Sequence, residues 1–385
     1  MLDGDHIAYI ERDIAYRGIV DDDLGEELVD HICEMVDQKM QRGMRFIEAY
    51  DEAITDFGNT ASLHSIQLEK FKTTYNNTRI MFRNYFKVAL RNLSKHRFYS
   101  FINIAGLSVG VACSLVIILY VINERGYDTF HEDSSVMYRL NQEGQFGENE
   151  FHFPVNPAPF AAALKEEIPE VTDAVRMRTR GSYIVRNPEK DESYKEGSAV
   201  YADPNFFEFF TFPLVEGEVK TALESDNALA ISKTVANRYF GTESAIGKRL
   251  LLNGDQEFIV RAVFEDMPSN SHLNLDLIMS MEGLEEAKNG MWVSNNFFTY
   301  VKLRPDANLE EVKSKAEDMK FSYVKPQIEQ FTGASFDDFL KQGNSIETIW
   351  QPMDEVYLTS DFTFDIGVMG NKEYVNLFTI IAIFI

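Results

Sequence analysis

Apolar and polar positions change their period several times along this chain, and each change marks an element. Leu24, Leu28, Ile32, Val36 and Met40 recur every four residues, which predicts a helix. Asp21-Asp22-Asp23 can cap its start. A second helix follows Gly43. It places Phe46, Ala49, Tyr50, Ala53, Ile54 and Phe57 on one side and ends at Gly58-Asn59. Next, Ile80, Met81, Tyr85, Val88, Ala89, Leu93 and Phe98 interleave with bases at helical spacing, the pattern of a helix lying in a membrane interface. Then Phe101–Ile122 runs for 22 residues without a charge. As a helix it is about 33 Å long, close to the hydrocarbon thickness of a bilayer.

Beyond this run, strand and helix periods alternate. Val136–Asn141 reads as a strand and Ala158–Ile168 as a helix with Phe160, Leu164 and Ile168 on one face. Glu257–Phe264 is a dense β-branched and aromatic strand. Thr299, Val301 and Leu303 alternate with Tyr300, Lys302 and Arg304, which predicts a half-buried strand. After Pro305, Asn308 is placed as an N-cap with Glu311 at the third helical position, and Leu309, Val312, Ala316 and Met319 follow at helical spacing. The mixed order predicts an α+β domain. The last apolar run, Tyr374–Ile385, has 12 residues, too few to cross a bilayer. It is expected to be the start of a second transmembrane helix cut short.

The expected organisation is therefore a membrane protein in five parts. Residues 1–78 form a small helical cytoplasmic domain and 79–100 a basic amphipathic juxtamembrane helix. Residues 101–122 span the membrane, 123–373 form a large outer domain, and 374–385 begin a second span. A small helical prefix holds little core, so it invites a partner contact.

Charge fixes the direction. Arg79, Arg83, Lys87, Arg91, Lys95 and Arg97 precede the span with no acid among them, whereas Glu124, Arg125, Asp128, Glu132 and Asp133 follow it. Basic residues near a span stay on the cytoplasmic side. The N-terminus is expected inside and residues 123–373 outside. The net charge of −24 divides into −10 over residues 1–78, +6 over 79–122 and −20 over 123–385. Such acidic bulk excludes nucleic acid as a partner, because phosphates need a basic face. The one basic segment suits anionic headgroups. Cys33 and Cys113 are placed in the cytoplasm and the bilayer, so they cannot pair.

Candidate chemistry dissolves on inspection. Gly106-Leu107-Ser108-Val109-Gly110 matches the Gly-x-Ser-x-Gly pattern of hydrolases, but that motif requires a strand–turn–helix elbow. Inside an apolar span, Gly106, Gly110 and Ser114 instead form one small face for close helix packing. Gly241 to Arg249 imitates a phosphate loop, with five residues between its glycines instead of four and an arginine after the lysine. The seven histidines are scattered without metal-ligand spacing. Phe206, Phe207, Phe209, Phe210 and Phe212 read as core. No catalytic residue, metal or cofactor is expected in this chain.

Several segments together carry a resemblance. Phe82-Arg83-Asn84-Tyr85-Phe86-Lys87-Val88-Ala89-Leu90-Arg91-Asn92-Leu93, Lys95-His96-Arg97 and Phe101-Ile102-Asn103-Ile104-Ala105-Gly106-Leu107 resemble the start of an FtsX/MacB-type ABC transporter permease. Phe206 to Phe210, Phe212-Pro213-Leu214, Ile231-Ser232, Tyr239-Phe240-Gly241, Ala245-Ile246-Gly247-Lys248, Met267-Pro268-Ser269-Asn270-Ser271-His272-Leu273 and Pro352 to Leu358 are similar to the MacB-like periplasmic core domain in order and spacing. The resemblance covers residues 80–385, and residues 1–78 resemble a helical prefix found on some of these permeases. It implies a periplasmic domain with an α/β part and a more β-rich part, and a location in the inner membrane. It also implies a permease that works as a homodimer or paired permease with a separate cytoplasmic ATPase, with a periplasmic or outer-membrane partner in some systems. ATPase closure would be relayed through the membrane by mechanotransmission, and the permease itself would not be an enzyme. The alternative reading is a two-span periplasmic sensor.

Overall fold

The computed structural model describes residues 2–18, 22–58, 81–190, 192–362 and 364–385. Asp21, Asn59, the rest of the prefix to residue 78, Arg79 and Ile80 lie outside the described residues, as do the side chains of Leu24 and Phe57. The chain divides into two compact units, Met1–Ser108 and Val109–Ile385.

The first unit begins with three helices: α1 (Gly4–Tyr16), α2 (Asp22–Gln41) and α3 (Phe46–Phe57). The four-residue period of α2 is realised as buried Leu28, Ile32 and Val36. They pack with Ile10 and Ile14 of α1 and with Ala49, Tyr50 and Ala53 of α3. Helix α1 is a third helix that the periodicity does not single out. The Asp3 carboxylate caps it by accepting from the His6 amide at 3.0 Å. Tyr50 donates to Asp13 at 2.6 Å, which ties α3 to α1.

Helix α4 (81–95) follows. A turn at His96 separates it from α5 (Arg97–Arg125). Among the described residues, α5 is the one helix long and apolar enough to cross a membrane.

Among the described residues, the second unit is built on fourteen strands joined in one network. They are β1 (Met137–Phe146), β2 (Asn149–Phe153), β3 (Asn156–Pro157), β4 (Val171–Thr179), β5 (Tyr183–Asn187), β6 (Glu192–Glu196), β7 (Ala199–Ala202), β8 (Leu214–Glu216), β9 (Ala228–Ser232), β10 (Arg249–Leu252), β11 (Gln256–Phe264), β12 (Leu277–Ser280), β13 (Asn295–Leu303) and β14 (Ser345–Pro352). Their order is β14-β1-β13-β4-β7-β12-β9-β11-β10-β5-β6, with β2 on β1, β3 on β13 and β8 on β11. The β9–β11 and β7–β12 pairs are parallel and the others antiparallel. The helices are α6 (Phe160–Glu167), α7 (Phe206–Phe209), α8 (Lys233–Phe240), α9 (Leu309–Thr332), α10 (Phe336–Lys341), α11 (Met353–Thr359) and α12 (Lys372–Phe384). Helices α6, α9 and α10 share a core with β1, β4, β13 and β14. The opposite end, around β5, β10 and β11, packs with α8. The α/β-rich and β-rich regions thus share one strand network, and the strands between them run continuously.

In the second unit the elements expected from the sequence are present, with one difference of burial; before it, α1 is additional and the turn at His96 breaks the helix expected over residues 79–100. Asn308 caps α9 by accepting from the Glu310 amide, and Gly333 closes it in the left-handed region at φ 69°. Tyr300 and Thr299 are both fully buried on β13. The expected half-buried strand is central in the sheet, between β1 and β4, and both of its faces are buried, Tyr300 in one core and Val301 in another. The five phenylalanines from Phe206 to Phe212 are core, at most 5% exposed.

Candidate functional site: the membrane-proximal junction

The outer end of α5 is fastened to the sheet by a buried polar clasp. The chain leaves the helix at Gly126 and bends at Asp128, a non-glycine residue at φ 58° with no exposed surface. Such a conformation costs of order 1–3 kcal/mol and persists where the surroundings hold it. Here they do. The Asp128 amide donates to the Asn270 carbonyl at 2.9 Å. The Asn270 side-chain amide donates to the Gly126 carbonyl at 3.0 Å. Asp128 Oδ1 accepts from the His272 amide at 3.0 Å. Asp128 Oδ2 lies 2.9 Å from His272 Nδ1, and His272 Nε2 lies 2.8 Å from the Tyr300 hydroxyl. Burial raises the Tyr300 pKa, so the phenol stays protonated.

The same histidine fastens the chain that returns toward the apolar run. The Val368 amide donates to the His272 carbonyl at 3.0 Å. Gly367 sits at φ 81°, and a Cβ there would lie 1.8 Å from that carbonyl oxygen. Only glycine fits. Three residues on, the Gly370 amide donates to the Tyr357 carbonyl at 2.7 Å, and the Tyr357 hydroxyl donates to Glu124 Oε2 of α5 at 3.0 Å. The Tyr127 and Tyr357 rings stack at 3.4 Å between centroids. Asn371 then caps α12 by accepting from the Tyr374 amide.

A second buried knot supports the returning segment. Arg139 on β1 has no exposed surface. It donates to Asp365 at 2.8 and 3.1 Å, to Ser360 at 2.6 Å and to Gln351 at 3.1 Å. Burial outweighs the arginine and leaves the Asp365 pKa above its ordinary value. His131 packs against Phe130, Phe210 and Phe212. Burial pushes its pKa down to about 4.

The helix-packing residues expected from the sequence divide. Ser114 Oγ donates to the Ala382 carbonyl of α12 at 2.7 Å, and a Cβ on Gly110 would meet Ile385 at 3.5 Å. A Cβ on Gly106 would meet nothing within 4 Å. Tyr120 meets Phe378 edge-on at 5.5 Å. Arg83, Lys87, Arg91 and Lys95 recur every four residues along exposed α4, and Arg97 opens α5 with its guanidinium on the Ser94 carbonyl. Ser108 lies within α5, not on an elbow. Gly241 ends α8 and leads through a turn into β10, the reverse of the strand–loop–helix order that a phosphate loop requires. Among the described residues, no group of three His, Cys, Asp or Glu could hold a metal.

Periodicity gave no signal for Asp128, His272, Arg139 or Glu124, and it placed Tyr300 on the polar side of a half-buried strand, where the structure buries it. Met267 to Leu273 stood out as a motif. Its Asn270, Ser271 and His272 form the loop of the clasp. The Asp128–His272–Tyr300 chain resembles a catalytic relay in its order. Its members are wholly buried, so what it holds is geometry.

The second unit is thus a mixed sheet fastened at its edge to the end of one long apolar helix. The profile of the MacB-like periplasmic core domain matches residues 100–319, and the chain belongs to that family, whose members are ABC-type transporter permeases. Among solved structures, a domain of a protein designated a permease from Porphyromonas gingivalis shares 22% identity. It covers 66% of this chain and 100% of that one with a TM-score of 0.50, so it shares the fold. The periplasmic region of MacB from Actinobacillus actinomycetemcomitans shares 14% identity over 60% of this chain and 92% of that one, with a TM-score of 0.39. The extracellular domain of the noncanonic ABC-type transporter YknZ from Gram-positive bacteria shares 16% over 48% and 93%, with a TM-score of 0.36. No curated protein sequence matches the chain.

Proposed function

We propose that this chain is the permease part of an ATP-driven export system in the inner membrane, working as a pair with a cytoplasmic ATPase. The observation that carries the reading is the clasp. His272 is bonded through Asp128 to the chain leaving α5 and through Val368 to the chain leading into α12. A displacement of either helix along its axis is thereby delivered to β13 through Tyr300. Rigid packed elements with two arrangements are what long-range coupling requires. In this scheme the basic row on α4 holds the inner end at the cytoplasmic surface, and the faces around Gly110 and Ser114 set the α5–α12 contact.

The test is reconstitution. The full-length protein is purified with the ATPase that accompanies it and placed in proteoliposomes. A disulfide between Gly126→Cys and Asn270→Cys should then lower stimulated ATP turnover at least tenfold, and reduction should restore it. If no ATPase accompanies the protein, or a soluble signalling domain takes that place, the sensor reading replaces this one.

A further inference from the structure

The other end of the domain holds an apolar cavity of about 500 Å³. It lies where α9 and α10 cover β1, β2 and β14, and its wall includes Phe146, Phe151, Trp292, Val324, Ile328 and Phe331. This size and lining match sites that take drug-sized apolar ligands. Phe146 and Phe331 are each at least 60% exposed, so aromatic surface stands at the rim instead of being withdrawn into the core.

The floor is polar and organised. Lys320 is 2% exposed and lines the cavity. Its Nζ donates to Glu317 and, at 2.8 Å, to Thr348. Thr348 also accepts from Gln142, and Gln142 donates to Asn156 at 2.8 Å. An ammonium has three N–H donors, and these two partners engage two. The Phe321 ring, 5.1 Å from Nζ, adds a cation–π attraction that takes up no directed hydrogen bond. Burial draws the lysine pKa down.

Charge decides which head fits. Lys320 and Glu317 already form a neutral pair, so a carboxylate head would leave an unbalanced buried charge. The surrounding domain also carries a net charge of −20 over residues 123–385, which disfavours the approach of anions. A neutral acceptor oxygen takes the third N–H without either cost.

We propose that this cavity binds a neutral single-chain amphiphile, an acyl ester, with its carbonyl on Lys320 Nζ and its chain against Trp292, Val324 and Ile328. The site is independent of the membrane-proximal clasp and of any coupling to ATP.

The two tryptophans, Trp292 and Trp350, both lie outside α5 and α12, and Trp292 lines the cavity. The full chain in nanodiscs is titrated with dibromostearoyl glycerol while tryptophan emission is followed. Saturable quenching is expected. Val324→Phe fills the cavity and should weaken the titration at least tenfold with an unchanged thermal midpoint. Lys320→Met should also weaken it about tenfold, the equivalent of one hydrogen bond at about 1.4 kcal/mol. Dibromostearate, the charged counterpart, should bind at least tenfold more weakly than the ester. Absence of saturable quenching, or equal quenching in wild type and Val324→Phe, overturns the site. Equal binding of the carboxylate overturns the assignment of its head group.

Discussion

Replacing Arg139 with methionine removes the most heavily bonded buried cation of the outer domain while keeping most of the side-chain length. Four hydrogen bonds disappear: two to Asp365, one to Ser360 and one to Gln351. Among the described residues, Asp365, 6% exposed, then keeps the Ile366 amide at 2.6 Å. Removing one partner of a buried pair costs about 3–5 kcal/mol, because the other charge is left uncompensated. The assay is urea unfolding of the full chain in micelles, read by emission of Trp350, which lies beside Gln351 on β14. The double variant Arg139→Met/Asp365→Asn should be more stable than the single one, with a coupling of about 0.5–3 kcal/mol. The pH dependence has a defined sign. The folded-state pKa of Asp365 lies above the ordinary 3.8, so the native state holds the proton more tightly and stability falls as pH rises through that pKa. Loss of Arg139 pushes it higher still. The deficit of the single variant should therefore be larger at neutral pH than in mild acid. A deficit below about 1 kcal/mol, less than a single ordinary buried hydrogen bond can explain, would refute the reasoning, as would a double variant no better than the single.

Three further outcomes can be measured. Gly367→Ala should strip hydrogen-exchange protection from the Val368 and Gly370 amides, since the new Cβ would collide with the His272 carbonyl and sit at φ 81°; strain of about 1–3 kcal/mol is expected from the backbone alone. Gly110→Leu should lower the thermal midpoint in micelles and Gly106→Leu should not, because only position 110 meets α12, while Ser114→Ala should cost about 0.6 kcal/mol; the opposite order would remove this face from the packing. His131 has its pKa depressed from 6.5 to about 4, so its contribution is present above about 6.5 and lost as pH falls toward 4. His131→Gln should flatten that limb of the stability curve relative to wild type, and an unchanged slope would mean that another group titrates there.

The sequence by itself picked out one charge-free run long enough to cross a bilayer, with basic residues on one flank only. Helical spacing located α2, α6 and α9, alternation located β13, and β-branched and aromatic density located β11. Tertiary structure decided what periodicity cannot encode. Tyr300 and Thr299 alternate like a half-buried strand, yet both are covered, since elements distant in sequence pack on both faces of β13, α7 and α11 on the Tyr300 side and α6 and α9 on the Val301 side. Asp128, His272, Val368 and Glu124 carry no mutual spacing; they meet because the chain leaves α5 and returns to α12 at the same edge of the sheet. Gly106, Gly110 and Ser114 look equivalent in sequence, but α12 lies against only two of them. Polar residues buried by long-range contact leave no periodic trace, and the clasp is made of them.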